Sequence, residues 1–547
     1  MTAVEKGEPT STVLQIKGLC VALAGHRGKQ LLRDVDLEVK AGEITCVVGE
    51  SGSGKSLTAY SVMGLLDRES LQNTAGEILL EGENVLTATP RRLRELRATR
   101  MSLIFQEPMT ALNPVERIGA QIEEVLEIHC SDDARERRRR ILAMLEAVHL
   151  PDPQRIFDSY PHQLSGGQRQ RVVICMALIL NPKLLIADEP TTALDVSTQK
   201  QILALIRELQ QKFNTAVLFI THDFGVVVDI ADKVVVMNDG AVVETGSRDA
   251  ILCTPRDAYT RMLVSAVPSL VPQSRDEVTG DVVLSIEGLS KTFVRRRLLR
   301  PATVVEAAVD CDLTLRRGEI LGVVGQSGSG KSTLARCIIG LETPSAGRII
   351  LSGEELLSPR GKAFRERFRR IQMVFQDPYR SLNPRVRVGE SIIEGPTNFG
   401  VPRSTALQRA EELMDLVDMP ITALARFPHQ FSGGQRQRIC IARALMMKPE
   451  VLVADEAVSA LDVSVQARIL KLLDTIRIET GVGLLFITHD LRVAAEICDR
   501  VIVMNKGRVV EHGSAESVLV QPRDPYTRAL IEAAPGRGWD FRNFRPL

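Results

Sequence analysis

What this chain lacks narrows it first. Its nine cysteines, at 20, 46, 130, 175, 253, 311, 337, 440 and 498, include no Cys-x-x-Cys pair, so neither a zinc site nor a disulfide framework is indicated. No apolar run approaches the length that spans a bilayer, and the longest candidate, Val172–Leu180, stops at Asn181-Pro182-Lys183. The opening Met1-Thr-Ala-Val-Glu-Lys-Gly-Glu-Pro9 has no apolar centre of the kind a signal peptide carries. Neither sign of charge dominates: 69 Lys and Arg against 68 Asp and Glu leave +1, which argues against a nucleic-acid binder held by a basic field. The expectation is a cytoplasmic protein whose membrane role, if any, comes through partners. At 547 residues, 44% hydrophobic and 25% charged, the composition is ordinary and globular. The length exceeds one core and predicts about three to four domains or subdomains.

What is present is one set of nucleotide-binding motifs, written twice. Gly49-Glu-Ser51-Gly52-Ser-Gly54-Lys55-Ser56-Leu57 recurs as Gly325-Gln-Ser327-Gly328-Ser-Gly330-Lys331-Ser332-Thr333. Each copy is followed, in the same order, by a glutamine (Gln106, Gln376) and a Ser-Gly-Gly triplet (Ser165-Gly166-Gly167, Ser432-Gly433-Gly434). An Asp-Glu pair (Asp188-Glu189, Asp455-Glu456) and a Thr-His-Asp (His222, His489) complete each set. The lysines stand 276 residues apart and the triplet serines 267, so the second half is shorter between these motifs, where surface loops tolerate length change. Short apolar runs precede the motifs: Ile44–Val48, Leu184–Ala187 and Val217–Thr221, then Ile320–Val324, Val451–Ala454 and Leu484–Thr488. Each ends in polar residues and leads into a helical pattern, which reads as α/β. Ligands of parallel sheets sit at the carboxyl ends of strands, where these motifs fall.

The residue types suit phosphate chemistry. Glycines let successive backbone N–H groups turn inward around phosphates, and the helix that follows adds its positive end. Lys55 and Lys331 would neutralise charge between β- and γ-phosphates, while Ser56 and Ser332 would offer Mg²⁺ a hydroxyl. A carboxylate at Asp188 or Asp455 suits the same cation, and Glu189 or Glu456 could polarise the attacking water as a general base. A glycine-rich turn, or acids capping a strand, would explain any one motif in isolation. Two ordered sets in strand–loop–helix context favour two ATP sites. His222 and His489, which could otherwise be buried structural histidines, become candidates for a γ-phosphate contact.

Leu164-Ser-Gly-Gly-Gln-Arg-Gln-Arg171 and Phe431-Ser-Gly-Gly-Gln-Arg-Gln-Arg438 resemble the signature of the ATP-binding cassette (ABC) ATPases, and the likeness extends over nearly the whole chain. The resemblance implies an α/β fold of two tandem ABC-type P-loop ATPase domains, each a RecA-like α/β core with a helical subdomain. The domains would span 1–265 and 282–534, with helical subdomains near 107–170 and 377–437, a linker at 266–281 and a tail at 535–547. It further implies a head-to-tail sandwich. Lys55, Ser56, Gln106, Asp188, Glu189 and His222 would face Ser432 and Gly434, while Lys331, Ser332, Gln376, Asp455, Glu456 and His489 would face Ser165 and Gly167. The cofactors implied are ATP and Mg²⁺, with Ser56, Gln106 and Asp188, and Ser332, Gln376 and Asp455, as the cation's ligands. Asp195 and Asp462 match the loop that crosses between domains. Phe293 takes the place of an aromatic that stacks on adenine, whereas the first half has Leu23, so the sites are expected to differ in affinity. Met176 stands where the second half has Arg443.

Finer features narrow the resemblance. Gln106-Glu-Pro-Met-Thr-Ala-Leu-Asn-Pro114, Gln376-Asp-Pro-Tyr-Arg-Ser-Leu-Asn-Pro384, Pro255-Arg-Asp-Ala-Tyr-Thr-Arg261 and Pro522-Arg-Asp-Pro-Tyr-Thr-Arg528 are similar to the dipeptide, oligopeptide and nickel branch of ABC importers. That branch implies two membrane permeases and an external solute-binding protein as partners, no nucleic acid, and a peripheral place on the cytoplasmic face of the inner membrane. Many relatives carry an iron–sulfur cysteine cluster after the Pro-Tyr-Thr-Arg. No cysteine follows Cys498 and none lies between Cys253 and Cys311, so no such cluster is expected. The alternative, a soluble tandem ABC ATPase acting on ribosomes or nucleic acid, usually reads Thr-Asn-His-Leu-Asp and has a long charged helical linker. This chain has Thr-Thr-Ala-Leu-Asp195 and a short Pro/Ser linker. The basic runs Arg135–Arg140, Arg295–Arg297 and Arg365–Arg370 read as solvated faces, and the aromatic tail after Pro535 as a fraying end.

Overall fold

Buried, β-branched runs punctuated by glycine turns build two sheets in each half of the chain. The structure, a computed structural model, describes residues 11–547 except 25–28, 68, 107–110, 193, 274, 276–277, 298–299, 357–361 and 460. Part of the Gln106 loop and the side chains of Arg295–Arg297 therefore lie outside the described residues. The chain divides into two compact units, 1–265 with 538–547, and 266–537.

The strands of the first unit are β1 (Thr12–Leu23), β2 (Gln30–Lys40), β3 (Ile44–Val48), β4 (Leu71–Leu80), β5 (Glu83–Asn84), β6 (Met101–Ile104), β7 (Leu184–Asp188), β8 (Ala216–Ile220), β9 (Lys233–Asn238) and β10 (Ala241–Ser247). They form an antiparallel sheet ordered β2-β1-β4-β5 and a larger sheet ordered β10-β9-β3-β8-β7-β6. All pairings in the larger sheet are parallel except β9 with β10. Every residue of β3, β7 and β8 is buried, the pattern of parallel strands covered on both faces. One face packs on the antiparallel sheet and on helix Lys55–Met63, joining Leu14, Ile16 and Leu19 with Val47, Val62, Ile186 and Leu218 in one cluster. Helices Ile118–His129, Ala134–Ala147, Pro153–Asp158 and Gly166–Leu178 intervene between β6 and β7.

The second unit repeats the plan. Its strands are β11 (Val282–Arg297), β12 (Arg300–Arg316), β13 (Ile320–Val324), β14 (Ala346–Leu351), β15 (Glu354–Glu355), β16 (Ile371–Val374), β17 (Val451–Asp455), β18 (Gly483–Thr488), β19 (Arg500–Asn505) and β20 (Arg508–Ser514). The sheet orders are β12-β11-β14-β15 and β20-β19-β13-β18-β17-β16, the same as in the first unit. The six runs read as strands from their apolar character all form strands, displaced by no more than one residue at either end.

Two expectations from sequence need correction. Trp539 and Phe541 are buried, at 8% and 1% exposure, and strand Trp539–Asp540 pairs with Arg545–Pro546, so the tail is an ordered part of the first unit and not a fraying end. Burying two large aromatics offsets the entropy of ordering a short segment. The run Arg365–Arg370 is likewise not a uniformly solvated face. Arg370 pairs with Glu354 and Glu450, and Arg367 is buried. Residues 266–281 belong to the second unit, where Arg275 pairs with Asp474 at 3.1 Å and Asp499 at 3.6 Å.

Arg367 explains how the helix behind the phosphate loop ends. Its Nε donates to the Ile338 carbonyl at 2.9 Å and its Nη2 to the Cys337 carbonyl at 2.5 Å, at the last turn of helix Lys331–Ile339. In the first unit Arg97 makes the matching bonds to the Met63 and Gly64 carbonyls, both at 2.7 Å. A guanidinium fork thus bonds the Ile338 carbonyl, and adds a second donor to the Cys337 carbonyl that already accepts the Gly340 N–H. Arg367→Ala should lower the unfolding free energy of the second unit by about 1–3 kcal/mol, because the buried Ile338 carbonyl loses its donor. Urea unfolding checks this, and an unchanged midpoint would contradict it.

Candidate active sites

The carboxyl ends of three neighbouring strands assemble each site. β3 ends at Val48 and turns into the loop Gly49–Gly54, β7 ends in Asp188 with Glu189 beyond it, and β8 leads to Thr221-His222. Because β8 lies between β3 and β7, the three ends are adjacent.

The loop's backbone explains its glycines. Gly49 and Gly54 have φ of 153° and 100°, and Gly325 and Gly330 have 150° and 104°, values that L side chains rarely adopt. A Cβ at Gly49 would also collide with the Met237 carbonyl, and one at Gly330 with the Ala307 carbonyl. Lys55, at the start of its helix, donates from Nζ to the Gly49 and Glu50 carbonyls, both at 2.8 Å. Lys331 does the same to Gly325 and Gln326 at 2.7 and 2.9 Å. Ser51, Gly52, Ser327 and Gly328 form the exposed tip of their loops, and Leu57 packs on the core behind. Thr333 is half-buried on helix Lys331–Ile339.

Hydrogen bonds link the other predicted residues. Ser56 Oγ donates to Asp188 Oδ1 at 3.1 Å, and Ser332 to Asp455 at 3.2 Å. Gln106 Nε2 donates to Glu189 Oε2 at 3.0 Å, and His222 Nδ1 lies 3.0 Å from Glu189 Oε1. In the second unit Gln376 donates to Glu456 at 2.7 Å and His489 lies 3.3 Å from it. Glu189 and Glu456 sit in the left-handed region, with φ of 46° and 49°, while their N–H groups bond the Ile220 and Ile487 carbonyls of the neighbouring strand. A non-glycine residue held there costs on the order of 1 kcal/mol, and such strain collects at functional sites.

Electrostatics separate the paired acids. Burial, with the charge of Glu189 alongside, pushes the Asp188 carboxyl above its usual value against the pull of the Ser56 bond; Asp455 behaves alike. Burial would push Glu189 and Glu456 up too, but the hydrogen bond and charge of the histidine reverse it and hold each below the usual carboxylate range. Burial disfavours a charged His489, yet Glu456 raises its pKa. The outcome in each unit is a carboxylate poised to stay ionised beside one that favours a cation partner.

Ser165 and Ser432 head separate helices, Gly166–Leu178 and Gly433–Leu445. Each serine hydroxyl accepts the N–H of the glutamine three residues on, and that glutamine's side chain accepts the serine N–H. This capping box leaves a serine and two glycines at a positive helix end. The second glycine is sterically required: a Cβ at Gly434 would collide with Val465, whereas one at Gly433 would meet only Leu461 at 3.8 Å. Gly434→Ala should therefore cost about 1–3 kcal/mol by overpacking, while Gly433→Ala should stay within about 0.5 kcal/mol. Equal thermal shifts for the two variants would contradict this geometry.

Phe293 lies on β11, 39% exposed, with Lys291 Nζ 4.8 Å from its ring centre. Leu23 ends β1 at the equivalent point. Asp195, expected in a crossing loop, also caps helix Val196–Phe213 by accepting the Thr198 N–H at 3.1 Å. Sequence reasoning missed three features. Ser53 and Ser329, inside the loops, have buried hydroxyls without a hydrogen-bond partner, which fits an anionic guest with phosphate oxygens. Tyr60 hydrogen-bonds Asp188, where the second unit instead sets the charge of Arg336 against Asp455. Tyr259 and Tyr526 reach the phosphate loops. Their only sequence signal was the repeated motif that contains them.

Comparison with known proteins identifies the family of the chain. The family model described as ABC transporter matches residues 32–192 and 309–459, and the one described as oligopeptide/dipeptide transporter, C-terminal region, matches 243–297 and 510–541. The chain is 44% identical over 558 residues to the glutathione import ATP-binding protein GsiA of Salmonella paratyphi A, covering 96% of this chain and 89% of that one. It is 43% identical over 532 residues to the peptidoglycan transport ATP-binding protein YejF of Agrobacterium fabrum, covering 96% and 97%. A dimeric bacterial ABC transporter cassette of known structure shares 29% identity over 43% of this chain and 98% of its own, with a TM-score of 0.39.

Proposed function

Since the chain belongs to the ABC transporter family, we propose that it is the fused, ATP-hydrolysing subunit of an importer of short peptides or similar small solutes. The oligopeptide/dipeptide C-terminal region present in both halves carries this reading, and it favours import over action on ribosomes. Relatives named for glutathione import and peptidoglycan transport support a peptide-like cargo. Residues 1–265 and 282–534 serve as the two ATPase domains. Among the described residues no helix is long and apolar enough to cross a membrane, so the subunit works with two permeases at the cytoplasmic face of the inner membrane, and an external binding protein delivers cargo. In the second unit Phe368, Met373, Phe375, Phe399, Arg443 and Met447 line a cleft of about 340 Å³ beside the Gln376 loop, a surface suited to a permease helix.

In this reading each lysine exchanges its two loop carbonyls for phosphate oxygens, and the loop N–H groups complete the cradle. Gly49, Ser51, Gly52, Gly54, Ser56 and Leu57 line one cradle; Gly325, Ser327, Gly328, Gly330, Ser332 and Thr333 line the other. Phe293 gives the second site an adenine-stacking face that Leu23 does not, so the sites differ in affinity. Ser165, Gly166 and Gly167 close on the nucleotide held by Lys331, and Ser432, Gly433 and Gly434 on that held by Lys55. Ser56, Asp188 and the amide oxygen of Gln106, with Ser332, Asp455 and Gln376, form all-oxygen donor sets of the kind Mg²⁺ takes. Mg²⁺ there supplies charge neutralisation on the phosphates. Glu189 and Glu456, kept ionised and oriented by histidine and glutamine, accept the proton of the attacking water. Glu189→Gln with Glu456→Gln should lower ATP turnover by about 10²–10⁴-fold with ATP binding retained. It should also stop peptide uptake in cells that carry the permeases, and near-normal ATPase activity in that double variant would refute the assignment.

A further inference from the structure

The repeated Pro-Arg-Asp-x-Tyr-Thr-Arg segments, 255–261 and 522–528, stand outside the hydrolysis chemistry, yet each aims a tyrosine at a phosphate loop. Tyr259 Oη accepts a hydrogen bond from the Glu50 N–H at 3.1 Å, and Tyr526 Oη accepts one from the Gln326 N–H at 3.0 Å. Glu50 and Gln326 directly follow the first glycine of their loops, and their carbonyls take the Lys55 and Lys331 ammonium groups at 2.8 and 2.9 Å. One loop residue is thus pinned from both sides, through its carbonyl by the lysine and through its amide by the tyrosine.

The rest of the segment fixes where the tyrosine points. Glu244 on β10 accepts the Arg256 and Asp257 N–H groups at 2.8 and 3.1 Å, and Glu511 on β20 accepts those of Arg523 and Asp524 at 2.7 and 3.2 Å. Arg261 closes on the Pro255 and Arg256 carbonyls at 3.1 and 2.7 Å, as Arg528 does on Pro522 and Arg523 at 3.1 and 2.9 Å. Asp257 Oδ1 accepts the Tyr259 N–H, and Asp524 Oδ1 the Tyr526 N–H, each at 2.8 Å. All of these contacts recur in both units across a separation of about 200 residues between tyrosine and loop. A glycine-rich loop loses much backbone freedom when it wraps a ligand, and an anchor already in place reduces that loss.

We propose that Tyr259 and Tyr526 are positioning residues that preorganise the phosphate loops, so that the C-terminal segment of each unit sets the affinity of its own nucleotide site. This rests on the reading of the loops as ATP sites. The contact is made to loop backbone, so it acts on nucleotide grip and leaves the water-activating carboxylate alone.

The test uses the full chain carrying Tyr259→Phe and Tyr526→Phe, which keeps both rings and removes both oxygens. ATP Kd, from displacement of a fluorescent ATP analogue, and KM should each rise about fivefold, the worth of one hydrogen bond, with kcat within about twofold. The melting temperature without nucleotide should fall by only a few degrees, as the loss of one hydrogen bond per unit allows. An unaltered Kd, or a fall in kcat at constant KM, would overturn the proposal. Lys55→Ala with Lys331→Ala separates the two readings. If that variant binds ATP as the parent does, the loops are not the ATP sites. If it loses ATP while the tyrosine variant binds normally, the tyrosine proposal alone fails.

Discussion

The Glu189 carboxylate gathers chain from four places. It receives the Gln106 amide from the loop after β6, the Thr192 hydroxyl at 3.0 Å from its own turn, and the His222 ring from beyond β8, while its backbone N–H ties back to Ile220. Only a parallel sheet in the order β3-β8-β7-β6 makes these segments neighbours, and only the left-handed turn at Glu189 lifts the carboxylate out of the strand toward them. The phosphate loop is placed by the same order, because β3 lies beside β8. Sheet topology, lysine-bound loop and acid–histidine–glutamine cluster are therefore one arrangement, which explains why the second unit reproduces it as a whole.

Reproduction is not identity. Tyr60 on one side and Arg336 on the other give Asp188 and Asp455 different company: a phenol favours the ionised Asp188 through a hydrogen bond, a guanidinium the ionised Asp455 through its charge. The aromatic at Phe293 has only Leu23 as its counterpart. Arg443, where the first half has Met176, donates to the Ser381 carbonyl at 2.5 Å, tying the signature helix to the loop after Gln376. These differences fall on the helix behind the glycine-rich loop, on the first strand of each unit and on the helix that Ser165 or Ser432 heads. The acid–histidine–glutamine cluster keeps its parts in both units.

The legible parts were those whose information is local. A strand, a glycine turn and a helix start form one contiguous stretch, so the phosphate loops, the Asp-Glu pairs and the histidines could be placed from sequence, and the structure joins them by hydrogen bonds. The tyrosine clamp could not be placed, because roughly 200 residues separate Tyr259 from Glu50 and nothing in either segment names the other. Arg367 was hidden differently. A basic run on a helix looks solvated until a neighbouring helix end supplies buried carbonyls. The ordered tail is illegible for another reason: of its three aromatics near a terminus, Trp539 and Phe541 are buried against a surface that sequence does not display.

In the proposed function each ATP is gripped by one unit and completed by the signature of the other. Turnover in a chain left with a single working glutamate tests it most directly. In a Glu456→Gln background the proposal leaves only Glu189 to hydrolyse, and it pairs that site with the signature that begins at Ser432. Ser432→Arg should then abolish the remaining hydrolysis, while Ser165→Arg, which removes an equivalent helix cap, should spare much of it. If Ser165→Arg proves the damaging change and Ser432→Arg the mild one, each unit works with its own signature and the claim is wrong.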